Sequence, residues 1–367
     1  MSPPRVLFIS SHSRGGGSEV YLLRLLQELD HTWVAGVVCL EHGPLLARLR
    51  TVGYLPELVE TGTHWAQIVR AAFSLRRLIR RARPDVIHAN GVKAALVAVL
   101  ATTLSPVPVV WLKHDFSWDG WLASLIGRRC REIVGVSTAV TETFSAHLRN
   151  RVNVVPLAIP ERRIDRLSAR RLVEQAISPV GQASEIILLV GRVDPLKGQR
   201  DAVGIAPAVL RHRPNAVFVF VGSHSDDYPL FREELEELVG HLGLTNSVRM
   251  LGYRRDAVEL MAGSDIVLIP SRVEGASLVA IEAMAVGSPV VGYAVGGLPE
   301  VIGDCGILVH PGDRDALADG VVQALGDDAL RARLGACGRQ RASSVFSIER
   351  LVEAMKTRYR EAAARST

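Results

Sequence analysis

Two basic side chains stand in a loop bounded by glycines in the second half of the sequence. Arg192 and Lys197 lie within residues 191–198, directly after the apolar run 186–190. Parallel α/β sheets bind their ligands at such carboxyl strand ends. Two fixed cations there could neutralise the charge that grows on a departing diphosphate. Lys197 is one of only four lysines, so codon drift towards arginine does not explain it. The alternative is a pair of solvated loop cations.

Two carboxylates follow in residues 271–290, the most specific segment of the chain. Glu274 lies on a glycine-containing turn, and Glu282 lies about two turns further along a helix predicted to begin near Ala276. The free N–H groups at the start of that helix suit a phosphate. The two carboxylates could accept hydrogen bonds from different hydroxyl pairs of one extended ligand. A carboxylate on an apolar helix costs free energy when it has no partner. The alternative, that both are ordinary surface acids, is therefore disfavoured.

A glycine-rich turn occupies residues 10–19, between an apolar run at 6–10 and a helical pattern at 20–29. Backbone N–H groups at Gly16 and Gly17 could approach a ligand closely, and the following helix start favours an anion. A diphosphate fits this description. The turn contains neither G-x-G-x-x-G nor a Walker A pattern, so an ordinary tight turn remains the alternative.

Apolar strand-like runs alternate with helical patterns along the whole chain, which predicts parallel α/β sheets. We expect two doubly wound domains at residues 1–160 and 185–345, joined by an Arg-rich linker at 161–184. A C-terminal helix within 346–367 is expected to pack back towards the N-terminal domain. The predicted strands are 6–10, 33–40, 86–89, 107–112, 132–136, 186–190, 216–221, 247–251, 266–270 and 289–293.

Composition agrees with two globular domains, since the 367 residues are 48% hydrophobic and 22% charged. The four cysteines form no C-x-x-C pair, so we expect neither a disulfide framework nor a zinc site. Free cysteines fit a reducing compartment, so we expect a cytoplasmic protein. The first predicted strand begins too early for a signal peptide, and the longest apolar stretch is too short to span a bilayer.

The net charge of +5 is partly concentrated in residues 65–83, which contain six arginines and no acid. Ile68, Ala72, Leu75 and Ile79 fall on one face of a predicted helix. A solvated helix packed on a sheet is the main interpretation, and a helix on an anionic membrane surface is the second. No aromatic pattern or recognition module accompanies the arginines, which disfavours nucleic acid.

Together, these motifs resemble family 4 glycosyltransferases of the GT-B fold, in which two Rossmann-like domains face a central cleft. The resemblance rests on residues 16–19, the 191–198 loop, the spacing of Glu274 and Glu282, and residues 296–300. It implies a C-terminal domain that binds a nucleoside diphosphate sugar, most simply a UDP- or GDP-sugar, and an N-terminal domain that binds the acceptor. It also implies transfer with retention of anomeric configuration and without a metal ion or other cofactor.

The resemblance assigns roles to individual residues. It implies that Glu282 holds the ribose, Glu274 the sugar hydroxyls, and Arg192 with Lys197 the diphosphate. The turn at Tyr253 resembles the loop beside the nucleobase. The predicted donor-binding residues are Gly16, Gly17, Arg192, Lys197, Gly222, Tyr253, Glu274, Gly275, Ala276, Ser277, Leu278 and Glu282.

A histidine after a strand completes the predicted catalytic set. His114 resembles the family's histidine near the donor sugar, so it joins Glu274, Arg192 and Lys197. A satisfied core histidine is the alternative. The residues expected to line the acceptor pocket are His88, Asn90, Lys113 and Asp115.

The sequence departs from the family pattern at two places. Ala276-Ser277 replaces the usual aromatic residue or proline after Glu-Gly, which bears on the sugar pocket. Leu157-Ala158 replaces a common Asn-Gly pair near the interdomain hinge. Asp226-Asp227 lacks the context of a metal-binding pair and is interpreted as a loop.

Three functions are compatible with these motifs. The first is a glycosyltransferase acting on a lipid-linked, polysaccharide or small-molecule acceptor, in the cytoplasm or peripherally at the inner face of the membrane. The second is a sugar-nucleotide epimerase of the same fold, and the third is a non-catalytic sugar-nucleotide-binding subunit. The complete set of predicted donor residues favours the first.

Overall fold

The computed structural model describes residues 2–62, 64–117, 120–178 and 185–364. The chain forms two compact units: Met1–Pro160 with Ser347–Thr367, and Glu161–Phe346. Among the described residues, no helix has both the length and the apolar character that a membrane span requires.

The first unit contains a seven-stranded parallel sheet in the order β3-β2-β1-β4-β5-β6-β7. Its strands are β1 (Val6–Ser10), β2 (Val34–Cys39), β3 (Glu57–Leu58), β4 (Val86–Asn90), β5 (Val109–Lys113), β6 (Glu132–Gly135) and β7 (Val152–Val154). Its helices before the chain leaves this unit are α1 (Gly17–Glu28), α2 (Pro44–Thr51), α3 (Trp65–Ala82), α4 (Val92–Ala101), α5 (Trp121–Arg129) and α6 (Thr138–Thr141). The central strands are buried along their length, as expected of a parallel sheet with both faces covered.

The second unit contains a six-stranded parallel sheet in the order β10-β9-β8-β11-β12-β13. Its strands are β8 (Glu185–Val190), β9 (Ala216–Val221), β10 (Val248–Gly252), β11 (Ile266–Ile269), β12 (Val290–Tyr293) and β13 (Gly306–Val309). Its helices are α7 (Arg166–Ile177), α8 (Gln199–His212), α9 (Phe231–His241), α10 (Ala257–Gly263), α11 (Leu278–Val286), α12 (Leu298–Ile302), α13 (Arg314–Gly326) and α14 (Asp328–Val345). Two Rossmann-like domains, predicted from the alternation of patterns, are therefore confirmed.

The C-terminal helix α15 (Ile348–Ala364) belongs to the first unit, where it contacts α1, β4 and β5. Its buried face is the one that the 3.6-residue period predicts, since Ile348, Leu351, Val352, Met355 and Tyr359 are all buried.

The segment predicted as a linker contains a helix instead. Helix α7 packs against α10 within the second unit, with Val173 and Ile177 buried one turn apart. Arg170 Nη1 also lies 2.8 Å from Oδ2 of Asp265. The polar, Arg-rich composition therefore reflects the outer face of a docked helix. The remainder of the predicted linker, residues 179–184, lies outside the described residues.

One disulfide contradicts the expectation drawn from cysteine spacing. Cys305, just before β13, is bonded to Cys337 of α14, with a Cα–Cα distance of 5.2 Å. The partners are 32 residues apart, and only the packing of α14 brings them together. Cys39 and Cys130 are buried free thiols.

Candidate active site

The two loops with the predicted donor residues meet at the centre of the second sheet. The strand order reverses between β8 and β11, so the loops that leave these strands lie side by side at the carboxyl edge. The N–H of Arg272 donates to the backbone oxygen of Leu196 at 2.8 Å. Gly198 has a φ of +74°, and an added Cβ would lie 1.9 Å from the backbone oxygen of Pro270. Glycine is therefore required for the two loops to approach this closely.

A basic and an acidic side chain from these loops form a direct ion pair. Lys197 Nζ donates to Oε1 of Glu274 at 2.7 Å, and the Ser271 hydroxyl donates to the same oxygen at 2.8 Å. Glu274 is only 8% exposed. A carboxylate this buried needs such partners, because desolvation otherwise disfavours its charge. The geometry thus brings together two residues that are 77 positions apart in the chain.

The loop after β8 is internally braced. The buried Asp194 carboxylate accepts from the N–H groups of Leu196 and Lys197 at 2.9 and 3.2 Å, which caps a short 3-10 turn. Gln199 Nε2 donates to the backbone oxygen of Arg192 at 2.7 Å. The Arg192 guanidinium lies 3.4 Å from Asp194 and leaves 55% of its side chain exposed. Arg192 is therefore oriented by the loop while remaining accessible to an anion.

Helix α11 begins directly after the acidic turn. Its first residue is Leu278, and the preceding Ser277 caps it by accepting from the N–H of Ala280 at 3.3 Å. Gly275 and Ala276 connect this cap to Glu274, whose backbone oxygen accepts from Gly297 N at 3.0 Å. The half-buried Glu282 lies one turn into the helix. A helix start and two acids therefore lie along one continuous segment, as predicted.

An exposed aromatic residue stands at the carboxyl end of β10. Tyr253 is 59% exposed, and the neighbouring Arg254 is held by Asp256 through bonds of 2.8 and 2.6 Å. Gly222, which follows β9, donates to the backbone oxygen of Gly252 at 2.9 Å. A Cβ at Gly222 would lie 1.8 Å from the backbone oxygen of Gly191, so this position also requires glycine. The predicted nucleobase platform is thus an accessible ring next to the Arg192 loop.

The glycine-rich turn of the first unit leads directly into α1. Gly16 is the N-cap residue and Gly17 the first helical residue. The buried Glu19 carboxylate lies beside this helix start, since its Oε2 would be 3.0 Å from a Cβ added at Gly16. Ser11 N donates to the backbone oxygen of Asn90 at 3.1 Å, because β1 and β4 are neighbours at the strand-order reversal of this sheet. The turn therefore occupies the ligand-binding edge of the first sheet.

His114 is held by a side-chain amide at the same edge. Its Nε2 lies 2.6 Å from Oδ1 of Asn90, whose Nδ2 donates to the backbone oxygen of Ser18 at 3.0 Å. Because the amide NH₂ is already a donor, its oxygen accepts, which places the imidazole proton on Nε2. Burial lowers the pKa of His114 to about 4, partly offset by Asp115. The ring is therefore neutral at neutral pH and offers Nδ1 as an acceptor.

Replacement of Asn90 by aspartate is expected to raise the pKa of His114, because a carboxylate at this distance stabilises the imidazolium. The other groups around the ring are Asp115, Tyr21 and His88. Proton–nitrogen NMR of the histidine rings during a pH titration measures the change. Asn150→Asp adds the same charge at an exposed site and should leave His114 unaffected. An unchanged His114 titration in Asn90→Asp would contradict the assigned hydrogen bond.

Two residues predicted for the acceptor pocket are directed into the core of the first unit. His88 is fully buried, and its Nδ1 lies 2.9 Å from the hydroxyl of Tyr359 on α15. Burial lowers its pKa to about 3. Lys113 is 2% exposed, with its ammonium hydrogen-bonded to the backbone oxygen of Asp115. The expectation that both side chains line a pocket is wrong, because both are buried in the core of the first unit.

The remaining predicted acceptor residues differ in exposure. Asn90 is also buried and is occupied by Ser18 and His114, whereas Asp115 is exposed and its carboxylate accepts from the N–H of Ser117 at 2.9 Å. Sequence reasoning missed the bracing residues Asp194 and Ser271. An Asp-Pro pair is a recognisable signal for a helical cap, but the partner of Ser271 depends on the turn geometry.

Two protein-family models match the chain, one on each unit. The model for glycosyl transferases group 1 matches residues 173–341, and the model for Glycosyltransferase Family 4 matches residues 15–163.

Curated relatives include a glycosyltransferase and a synthase whose names specify different molecules. The 2-deoxystreptamine N-acetyl-D-glucosaminyltransferase of Streptomyces fradiae is 30% identical over 356 residues, which cover 85% of this chain and 83% of that protein. The N-acetyl-alpha-D-glucosaminyl L-malate synthase of Bacillus anthracis is 34% identical over 182 residues, 49% of this chain and 46% of that protein. This second match therefore spans about half of each chain.

Solved structures show the same fold at low sequence identity. HepE of Anabaena, in complex with UDP-glucose, has a TM-score of 0.86 at 21% identity, covering 98% of this chain and 100% of that chain. A glycosyltransferase from Rickettsia africae has a TM-score of 0.83 at 20% identity, covering 99% of both chains. The chain therefore belongs to the family 4 glycosyltransferases, with the Rossmann-like domains of the GT-B fold.

Proposed function

We propose that this protein transfers a sugar from a nucleoside diphosphate donor to a hydroxyl-bearing acceptor, with retention of anomeric configuration and without a metal ion. The observation that carries the proposal is the Lys197–Glu274 pair beside Arg192, at the strand-order reversal of the second sheet. A UDP-hexose is the preferred donor class. HepE binds UDP-glucose and the Streptomyces relative is an N-acetylglucosaminyltransferase, which supports that choice.

The cations would stabilise the leaving group. Negative charge grows on the diphosphate as the glycosidic bond breaks, and Arg192 and Lys197 supply fixed positive charge that needs little reorganisation. The start of α11 offers backbone N–H groups to the same anion. Lys197 also touches Glu274, so the residue proposed for the diphosphate positions the residue proposed for the sugar hydroxyls.

The remaining donor contacts follow from chemistry and exposure. Glu282 would accept hydrogen bonds from the ribose hydroxyls, and the exposed ring of Tyr253 would lie against the nucleobase. His114 would act as a neutral hydrogen-bonding group towards substrate, since burial lowers its pKa.

Retention is proposed to proceed by attack on the same face from which the diphosphate departs. The acceptor oxygen bonds to the anomeric carbon as the bond from that carbon to the phosphate oxygen breaks. The acceptor proton moves to the departing phosphate oxygen, which balances the charge. This route needs no protein nucleophile, whereas retaining glycosidases use a pair of closely spaced carboxylates.

Metal independence is expected because Arg192 and Lys197 would supply beside the diphosphate the positive charge that a divalent ion otherwise provides. Transfer should persist at full rate in excess EDTA, measured as release of nucleoside diphosphate in the presence of acceptor. A metal-dependent glycosyltransferase run in parallel shows that the chelator is effective. Loss of activity in EDTA, with recovery on addition of Mg²⁺ or Mn²⁺, would refute this part of the proposal.

The donor can be identified by thermal shift with UDP-, GDP- and ADP-sugars. A ligand that binds the native state raises the melting temperature in proportion to the logarithm of its concentration over Kd. Slow release of nucleoside diphosphate from the stabilising donor, without acceptor, would support a transferase. Conversion of the donor to its epimer would support an epimerase, and binding without either reaction a non-catalytic subunit.

A further inference from the structure

Three helices form one outer layer over the first sheet. Buried residues of α3, α4 and α5 share a single core with one face of β1, β2, β4, β5 and β6. Helix α4 contacts both of the others and therefore lies between them. Crossover helices run antiparallel to the strands they connect, so α3 and α5 both begin near the carboxyl edge of the sheet.

The charge of this layer has one sign. Its three helices contain no aspartate or glutamate, and their basic residues are Arg70, Arg76, Arg77, Arg80, Arg81, Lys93, Arg128 and Arg129. Arg81 forms an ion pair with Glu57 of β3. Within the described part of the chain, Arg70, Arg77 and Arg80 are exposed and form no ion pair. The charged side chains of these three helices are therefore all basic, and at least three of them are exposed without an acidic partner among the described residues.

Large apolar side chains are exposed between these cations. On α3, Phe73 is 61% exposed and lies three residues after Arg70 and four before Arg77, so the three share one outward stripe. On α5, Trp121 is 78% exposed, and Leu125 follows it one turn later, before Arg128. Both helices therefore carry the same combination of arginine and apolar side chains.

We propose that this surface, the basic aromatic face of α3 and α5, docks on an anionic lipid bilayer. Arginine side chains near a bilayer are attracted by acidic headgroups, and aromatic rings are stable at the headgroup level. A purely electrostatic polyanion would not benefit from Phe73, Trp121 and Leu125 in this way, which makes the bilayer the better match. The sequence pattern indicated only α3; the contribution of α5 follows from the packing.

The direction of α3 and α5 relates the docking surface to the edge of the sheet where the acceptor is proposed to bind. Because α3 and α5 begin near the carboxyl edge that also carries Asn90 and His114, docking would bring this edge close to the headgroups. A lipid-linked acceptor would then meet the protein at the bilayer surface. This last step rests on the proposed function, whereas the docking itself does not.

Sedimentation with lipid vesicles tests the proposal. Wild-type protein should bind vesicles of phosphatidylcholine mixed with phosphatidylglycerol, should bind pure phosphatidylcholine weakly, and should dissociate as salt rises. The triple variant Arg77→Ser, Arg80→Ser, Arg128→Ser should partition about 100-fold less, since each cation near the surface contributes about 1 kcal/mol. The double variant Phe73→Ser, Trp121→Ser should lose at least about tenfold, because two aromatic side chains no longer leave water.

Matched controls come from exposed residues of the second unit. Arg166→Ser, Arg211→Ser, Arg333→Ser changes the net charge equally, and Leu167→Ser, Leu230→Ser removes two comparably exposed apolar side chains. Melting curves and donor turnover without lipid show whether each variant is folded and functional, independently of docking. Equal losses in the control variants, or binding that is insensitive to both Phe73 and Trp121, would overturn the proposal. Wild-type binding to pure phosphatidylcholine at the same strength would also overturn it.

Discussion

Lys197→Ala and Arg192→Ala are each expected to lower kcat by about 100-fold or more. Their charges act on a diphosphate that becomes more negative as the bond to the sugar breaks, so they stabilise the transition state more than the bound donor. Arg192 is accessible on a braced loop, and Lys197 sits at the end of that loop within hydrogen-bonding distance of Glu274. Steady-state kinetics with the preferred donor measures kcat and KM separately.

Matched cations elsewhere serve as controls. Lys356 pairs with Glu353 on the C-terminal helix, and Arg200 pairs with Glu234 at an exposure close to that of Arg192. Alanine at either control position should leave kcat within about twofold, since these two cations pair with Glu353 and Glu234 and not with a proposed donor residue. If Lys197→Ala and Arg192→Ala raise only KM, the two cations hold the ground state and the leaving-group proposal fails.

The ion pair between Lys197 and Glu274 can also be tested through protein stability. Glu274 has two observed side-chain partners, Lys197 and the Ser271 hydroxyl. Without Lys197 the buried carboxylate loses its ion pair, so the melting temperature of Lys197→Ala should fall. The double variant Lys197→Ala, Glu274→Gln should recover part of that loss, because the unpaired charge is gone. The two effects on stability are therefore expected to be non-additive. Additive effects would show that the contact is absent in solution.

The main strands were predictable because each is a short apolar run followed by a turn. The runs 186–190 and 216–221 are buried along nearly their whole length, as the strands of a parallel sheet covered on both faces are. Strands β3, β7 and β13 were not predicted. The first two have only two and three residues, and β13 is only half-buried, so none carries a clear apolar period.

The residues of the candidate site could be predicted from the sequence, but the contacts between them could not. The loops after β8 and β11 become neighbours through the strand order, which a single sequence does not specify. The pairing of Lys197 with Glu274 and the disulfide between Cys305 and Cys337 therefore emerge only in three dimensions. The same limit explains why the prediction for His88 was wrong. Its position at a strand end suggested a pocket, but the strand residue points towards Tyr359 on the opposite end of the chain.

Glu274→Gln and Glu282→Gln are expected to separate into different kinetic classes. The ribose is remote from the breaking bond, so contacts to it are equally strong in the ground and transition states and affect KM. Glu282→Gln should therefore weaken donor binding by about 1–3 kcal/mol, the value of a charge-assisted hydrogen bond. Glu274 is proposed to contact the sugar, which acquires positive charge as the leaving group departs. Glu274→Gln should mainly lower kcat and should weaken discrimination between donor epimers.

A buried acid outside the site controls for the loss of charge itself. Glu132 of the first unit is as buried as Glu274 and accepts from Asn153 and Arg358, so Glu132→Gln removes a comparable charge without touching the proposed donor site. Glutamine preserves volume, and melting curves establish that each variant is folded. With kinetics for all three, a fall in kcat confined to Glu274→Gln supports the assignment. If Glu274→Gln and Glu282→Gln raise KM by similar factors at unchanged kcat, the two acids do not have the distinct roles proposed here.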